Sequence, residues 1–166
     1  INQVSITDER KKAVDFSSGY YDVSQTVITV KGSKIANAKS IADLKGAKLG
    51  AQVGTTSYAT ITDVIKPTQA PAVFDTNDVA KQALANGQID GLVVDLPTAF
   101  YITAVDLENG LIVCQFPAQA GGEQFGLVLS KGSKPTKDVT AAVDALRANG
   151  ILAKIADAWL ASTVCA

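Results

Sequence analysis

Histidine and methionine are both absent from these 166 residues, and only two cysteines and one tryptophan occur. Without histidine, Ser-His-Asp and Cys-His nucleophile systems are excluded, as are the usual histidine-ligated zinc sites. Cys114 and Cys165 are too few and too far apart in sequence for a metal cluster or a redox pair. They form either one disulfide, as suits an extracytoplasmic setting, or two buried thiols. Any basic block is also missing. The 15 basic and 16 acidic residues are dispersed along the chain and leave a net charge of −1, so a nucleic-acid partner has no electrostatic footing. No apolar run approaches the roughly 20 residues that a membrane-spanning helix needs. With no methionine even at position 1, the expectation is a chain that starts inside a longer reading frame.

What is present supports a folded core: 47% of the residues are hydrophobic and 19% charged, ordinary values for a globular domain. Strand and helix signals alternate. The β-branched run Thr26–Val30 predicts a strand, and Ser40 with Asp43 three residues on predicts a capped helix over Ile41–Lys45, stopped by Gly46. Lys48–Val53 predicts a buried strand. The polar turn Gly54-Thr55-Thr56-Ser57 follows at once, then a helix over Tyr58–Ile65 that ends before Pro67.

The pattern repeats with a short strand at Ala72–Phe74 and a helix after Asn77, read as its cap, with Gly87 as the stop. Ile89–Val94 is nearly continuous in apolar residues, as in a parallel strand buried on both faces, and it ends in Asp95 before Leu96-Pro97 opens another helix. Leu111–Phe116 predicts one more strand. Beyond Gly121-Gly122-Glu123 come an extended crossover at Gln124–Leu129 and a helix capped by Thr136 with Val139, Val143 and Leu146 on one face. A last amphipathic helix carries Trp159.

Two places in this pattern carry chemistry. A turn between strand and helix aims N–H groups and hydroxyls at whatever lies above the strand's carboxyl end, and open α/β sheets place ligands there. Thr55, Thr56 and Asp95 occupy such positions, and helix capping is the competing use of each. The second place is Ser5-Ile6-Thr7-Asp8-Glu9-Arg10. Thr7 can cap a short helix whose first turn holds Asp8 and Glu9, where acids suit the helix dipole. Arg10 would then project a planar fork suited to a carboxylate.

As an ordered set, several stretches resemble the polar-amino-acid-binding proteins that serve ABC importers, family 3 of the solute-binding proteins. They are Ser5–Lys12, Asp15-Phe16-Ser17, Tyr20-Tyr21, Ile41–Gly46, Gly50–Thr56, Asp90-Gly91 through Asp95, and Lys131-Gly132-Ser133. The resemblance implies an α/β fold of the periplasmic-binding-protein type (type II), with a central, mostly parallel sheet flanked by helices and incomplete pieces of a second lobe. Residues 1–24 would belong to lobe 1, 25–124 would form lobe 2, and 125–166 would return to lobe 1, with a two-stranded hinge near residues 22–25 and 121–126.

It further implies capture of a free polar amino acid. Arg10 would pair with the ligand α-carboxylate, Ser5 would also contact the ligand, Thr55 and Thr56 would add bonds to the carboxylate, and Asp95 would take the α-ammonium. An ABC permease is the implied partner, in an extracytoplasmic location: periplasmic, lipid-anchored or secreted. No cofactor, metal or catalytic residue is implied. The family's leading segments, with their ligand-sandwiching aromatics, have no counterpart before Ser5, where Asn2, Gln3 and Val4 stand. The expectation is therefore of a fragment that exposes apolar faces such as the Trp159 helix and is prone to self-association or lobe swapping. The same scaffold has two other uses: a receptor's amino-acid-sensing domain, and a cyclohexadienyl-dehydratase-like enzyme, for which Glu123 is the one carboxylate near the second crossing.

Overall fold

A computed structural model describes residues 3–116 and 122–160. In chain order the elements are α1 (Asp8–Ala13), β1 (Val14–Phe16), β2 (Tyr21–Asp22), β3 (Gln25–Val30), α2 (Ile41–Leu44), β4 (Leu49–Gln52) and α3 (Thr56–Ala59). They continue with β5 (Ala72–Phe74), α4 (Asn77–Ala85), β6 (Gly91–Asp95), α5 (Leu96–Tyr101), β7 (Gly110–Gln115), β8 (Gln124–Phe125), β9 (Val128–Ser130), α6 (Thr136–Ala148) and α7 (Ile151–Trp159). Both α3 and α5 run on as wider π-helical turns, Thr60–Ile65 and Ile102–Asp106. The described residues divide into two units, one of residues 3–23 with 122–160 and the other of residues 24–116.

The second unit is a five-stranded sheet in the order β5-β4-β6-β3-β7 with helices on both faces. β4 pairs in parallel with β5 and β6, whereas β3 runs antiparallel to β6 and β7. The sheet is therefore mixed. Four strands point one way, as the β/α alternation predicts, and β3 alone is reversed.

Alternating side chains sort the interior into two layers, as the two-residue strand period requires. On one face, Val27, Leu49, Ala51, Val93 and Cys114 pack with Leu44 of α2 and with Ile61 and Ile65 beyond α3. On the other, Ile28, Leu92 and Val94 pack with Ala80, Ala83 and Leu84 of α4 and with Ala99 and Ile102. Cys114 is thus a buried core side chain. Cys165 lies outside the described residues, and so does the bridge suggested for the pair.

Gly91 shows how tightly the first layer is filled. A Cβ there would sit 2.8 Å from Ile35 Cδ1 and 3.1 Å from both Leu49 Cδ2 and Val27 Cγ1. All three neighbours are buried, so room for a methyl requires three packed side chains to shift together. Gly91→Ala is expected to cost about 1–3 kcal/mol. The urea midpoint should fall with the slope unchanged, and an unchanged midpoint would contradict this packing.

Capping follows the sequence in part. The Asp43 carboxylate accepts from the Ser40 N–H and hydroxyl, at 3.0 and 2.9 Å, and from the Lys39 N–H at 3.0 Å. Those bonds, the Lys39 N–H first, hold the Asp43 pKa below the usual carboxylate value. For α4 the cap is Thr76 rather than Asn77; its hydroxyl accepts from the Val79 N–H at 3.3 Å. Thr136 is likewise inside α6 rather than its cap. Pro135 takes the cap position already in helical geometry, and no side chain caps that end. Lys81 of α4 lies between Asp106 at 2.5 Å and Asp78 at 2.8 Å. These bonds, Asp106's first, raise the lysine's pKa above its ordinary value.

In the first unit, β8 is the centre. Tyr21-Asp22 pairs with it antiparallel, and Ser5 bridges Phe125 from the other side. Beside it, β1 pairs with β9, and Asp15 receives the Gly132 N–H at 2.8 Å and the Lys131 ammonium at 3.2 Å. Bonding to Lys131 first, then to Gly132, lowers the Asp15 pKa. Glu123 and Gln124 pair with residues 22–23 in this unit instead of closing the sheet of the other. Helix α7 leaves Ile151, Ile155 and Trp159 on its surface, with Trp159 81% exposed. Among the described residues, no helix is long and apolar enough to cross a membrane.

Candidate ligand-binding site

The residues singled out from the sequence fall into one group in each unit. In the first, Ser5 is buried and Arg10 half-buried. Thr7 caps α1 as its sequence suggests, its hydroxyl accepting from the Arg10 N–H at 3.2 Å. The cap fixes the helix start, and one face of the guanidinium then folds back, Nη1 donating to the Ser5 carbonyl at 2.8 Å. The Ser5 hydroxyl donates to the Glu123 carboxylate. A hydroxyl has one proton to give, so Ser5 offers Glu123 its donor and keeps acceptor capacity. Glu123 is thereby a partner of Ser5, a role its sequence position did not suggest.

In the second unit, β4 and β6 are parallel neighbours, and the chain leaves each toward a different face. The helix after β4 packs through Ile61 and Ile65 into one core layer; the helix after β6 packs through Ala99 and Ile102 into the other. Adjacent parallel strands with diverging helices define a switch point, where open α/β sheets leave a crevice at their carboxyl ends. Thr55, Thr56 and Asp95 stand at that end. Gly54 makes the turn with φ +70, in the left-handed region that glycine favours.

The three residues are used differently. Thr55 is the N-cap of α3: its hydroxyl accepts from the Tyr58 N–H at 3.2 Å and donates to the Gln52 carbonyl at 2.7 Å. Its single hydroxyl proton thus belongs to the fold. Asp95 holds the N-cap position of α5, yet its carboxylate makes no cap bond to that helix. Instead Asp95 Oδ1 accepts from the Gln25 side-chain amide at 2.7 Å, and the same amide reaches Thr56 Oγ1 at 3.3 Å.

Gln25 belongs to no motif that the sequence singles out. A signal existed: it is a large polar side chain, 6% exposed, at the head of a strand that is otherwise β-branched and buried. A buried amide of that kind needs partners. Which partners it finds depends on register across 70 positions, and short-range pattern cannot give that.

A five-stranded mixed sheet with a polar cluster at its switch point is the lobe architecture of the type II periplasmic-binding-protein fold. The chain belongs to the bacterial extracellular solute-binding proteins, family 3, whose family model matches residues 1–162. It is 30% identical to the L-arginine-binding protein of Pseudomonas aeruginosa, over 99% of this chain and 65% of that protein. It is also 30% identical to the ABC transporter glutamine-binding protein GlnH of Bacillus subtilis, over 95% of this chain and 55% of GlnH. Among solved structures, an ancestral arginine-binding protein bound to arginine superposes with a TM-score of 0.73 at 31% identity, covering 95% of this chain and 69% of its own. The chain therefore spans about half to two thirds of the length of these curated relatives.

Proposed function

We propose that this chain is the greater part of an extracytoplasmic solute-binding protein that captures a free polar amino acid reversibly and delivers it to an ABC permease. The observation that carries the reading is the polar cluster at the switch point: an acceptor-only carboxylate, Asp95, tied through one amide to a hydroxyl, Thr56. A zwitterion needs both kinds of partner, an acceptor for its ammonium and donors for its carboxylate. Asp95 takes the α-ammonium. Thr56 supplies a hydroxyl and Thr55 its backbone N–H, since the Thr55 hydroxyl proton is held by Gln52. Arg10 contributes the fixed cation, paired with the carboxylate by charge-assisted bonds, and Ser5 sets Arg10's orientation through its carbonyl.

The relatives named above are binding proteins, which supports capture and release with no covalent step. In these 166 residues alone, the surface of α7 around Trp159 favours association between copies.

The test is titration calorimetry of the protein expressed from its complete reading frame, against each of the common amino acids. Saturable heat from one or a few polar amino acids is expected. Absence of heat with all of them would overturn the reading.

A further inference from the structure

We infer that Gln25 is a positioning residue for ligand capture, acting through Asp95; this rests on the binding reading above. Gln25 and Asp95 face each other in register, one at the start of β3 and the other at the end of β6. Three contacts fix that corner. The Leu96 N–H donates to the Ser24 carbonyl at 2.9 Å, the Phe116 N–H donates to the Gln25 carbonyl at 2.8 Å, and the Gln25 amide donates to Asp95 at 2.7 Å. The orientation of the amide follows from chemistry: a carboxylate only accepts, so the nitrogen must be the end that faces it.

With its two hydrogens, that nitrogen serves both Asp95 Oδ1 and Thr56 Oγ1. It therefore couples the residue after β6 to the residue that opens α3. Because Thr56 accepts from Gln25, its own proton points elsewhere, which makes Thr56 a donor toward a ligand. The choice of a neutral amide matters as well. A lysine or arginine in this place would neutralise Asp95 and compete with a ligand ammonium. Glutamine holds the carboxylate in one rotamer and leaves its charge for the ligand. Such preorganisation by a supporting hydrogen bond is what keeps a site from paying an ordering cost on each binding event.

The experiment is a double-mutant cycle by calorimetry with L-arginine, L-glutamine and L-histidine as probes, in the protein from its complete reading frame. Gln25→Leu should weaken binding of whichever probe binds the parent by about tenfold. In the Asp95→Ala background the same change should have little further effect, since the acceptor through which Gln25 acts is gone. Parent-like binding by Gln25→Leu overturns the inference. So does an equal loss in both backgrounds, the signature of a merely structural role. If Gln25→Leu does not fold, Gln25→Glu keeps the size and replaces the donor by a second carboxylate facing Asp95. It should lose at least as much affinity, and parent-like binding by it overturns the inference too. Failure of the underlying reading is separate: there the unsubstituted protein gives no heat with any amino acid.

Discussion

Arg10→Ala is expected to weaken binding of the protein's best amino acid ligand on the order of 10²–10⁴-fold, from the loss of two charge-assisted bonds at about 1.5–3 kcal/mol each. The side chain is suited to this because its surroundings already hold it. The Thr7 cap sets the start of α1, and the bond from Nη1 to the Ser5 carbonyl fixes the guanidinium. An arginine held in one rotamer gives its fork to a carboxylate without first losing side-chain freedom. Arg10→Lys keeps the charge but not the planar pair of donors, so it should fall between the parent and Arg10→Ala. The loss should appear in calorimetry while the melting temperature drops only modestly, since Arg10 is half-buried on a short helix. Parent-like affinity in Arg10→Ala would remove Arg10 from the site.

What could be read from the sequence was local, and what could not was register. The Thr7 cap, the Asp43 capping box, the Gly54 turn and the helix after Thr55 depend on neighbours within a few positions, and they stand where the sequence puts them. Near misses of one residue, Thr76 for Asn77 and Pro135 for Thr136, arise because consecutive polar residues or a proline can each open a helix. The reversed direction of β3 is a different matter. A buried β-branched run looks the same in either orientation, and only its pairing with β6 and β7 reveals it. That reversal is also what brings Gln25 opposite Asp95. The same cause hid both the mixed character of the sheet and the buried Gln25 amide that joins Asp95 to Thr56.

The two polar groups differ in how they are supported. Around Asp95 the support is a sheet with core on both faces. Ser5 and Arg10 hang instead on a few short strands, in which a single large side chain fills the centre. Phe125 is 1% exposed, and its ring lies 5.7 Å from that of Tyr21 and 6.1 Å from that of Tyr20. Its backbone is held from both sides as well. The Tyr20 N–H donates to the Phe125 carbonyl at 2.8 Å, and on the other side the flanking residues exchange bonds with the opening segment: Ile6 N–H to the Gln124 carbonyl at 2.8 Å, Gly126 N–H to the Val4 carbonyl at 3.0 Å.

Phe125→Ala should therefore cost about 3–5 kcal/mol in the first unit, the range for emptying a buried phenylalanine site. The effect should be confined. Amide hydrogen exchange is expected to rise at residues 4–6, 20–23 and 123–126, while β3, β4 and β6 keep their protection, because local opening follows the cooperative unit that loses its packing. Amino acid affinity should fall with it, since Ser5 bridges Phe125 directly and Ser5's carbonyl holds Arg10. Equal loss of protection in both units would mean that they unfold as one body. Unchanged exchange at residues 4–6 would mean that Ser5 and Arg10 are held by something other than this aromatic centre.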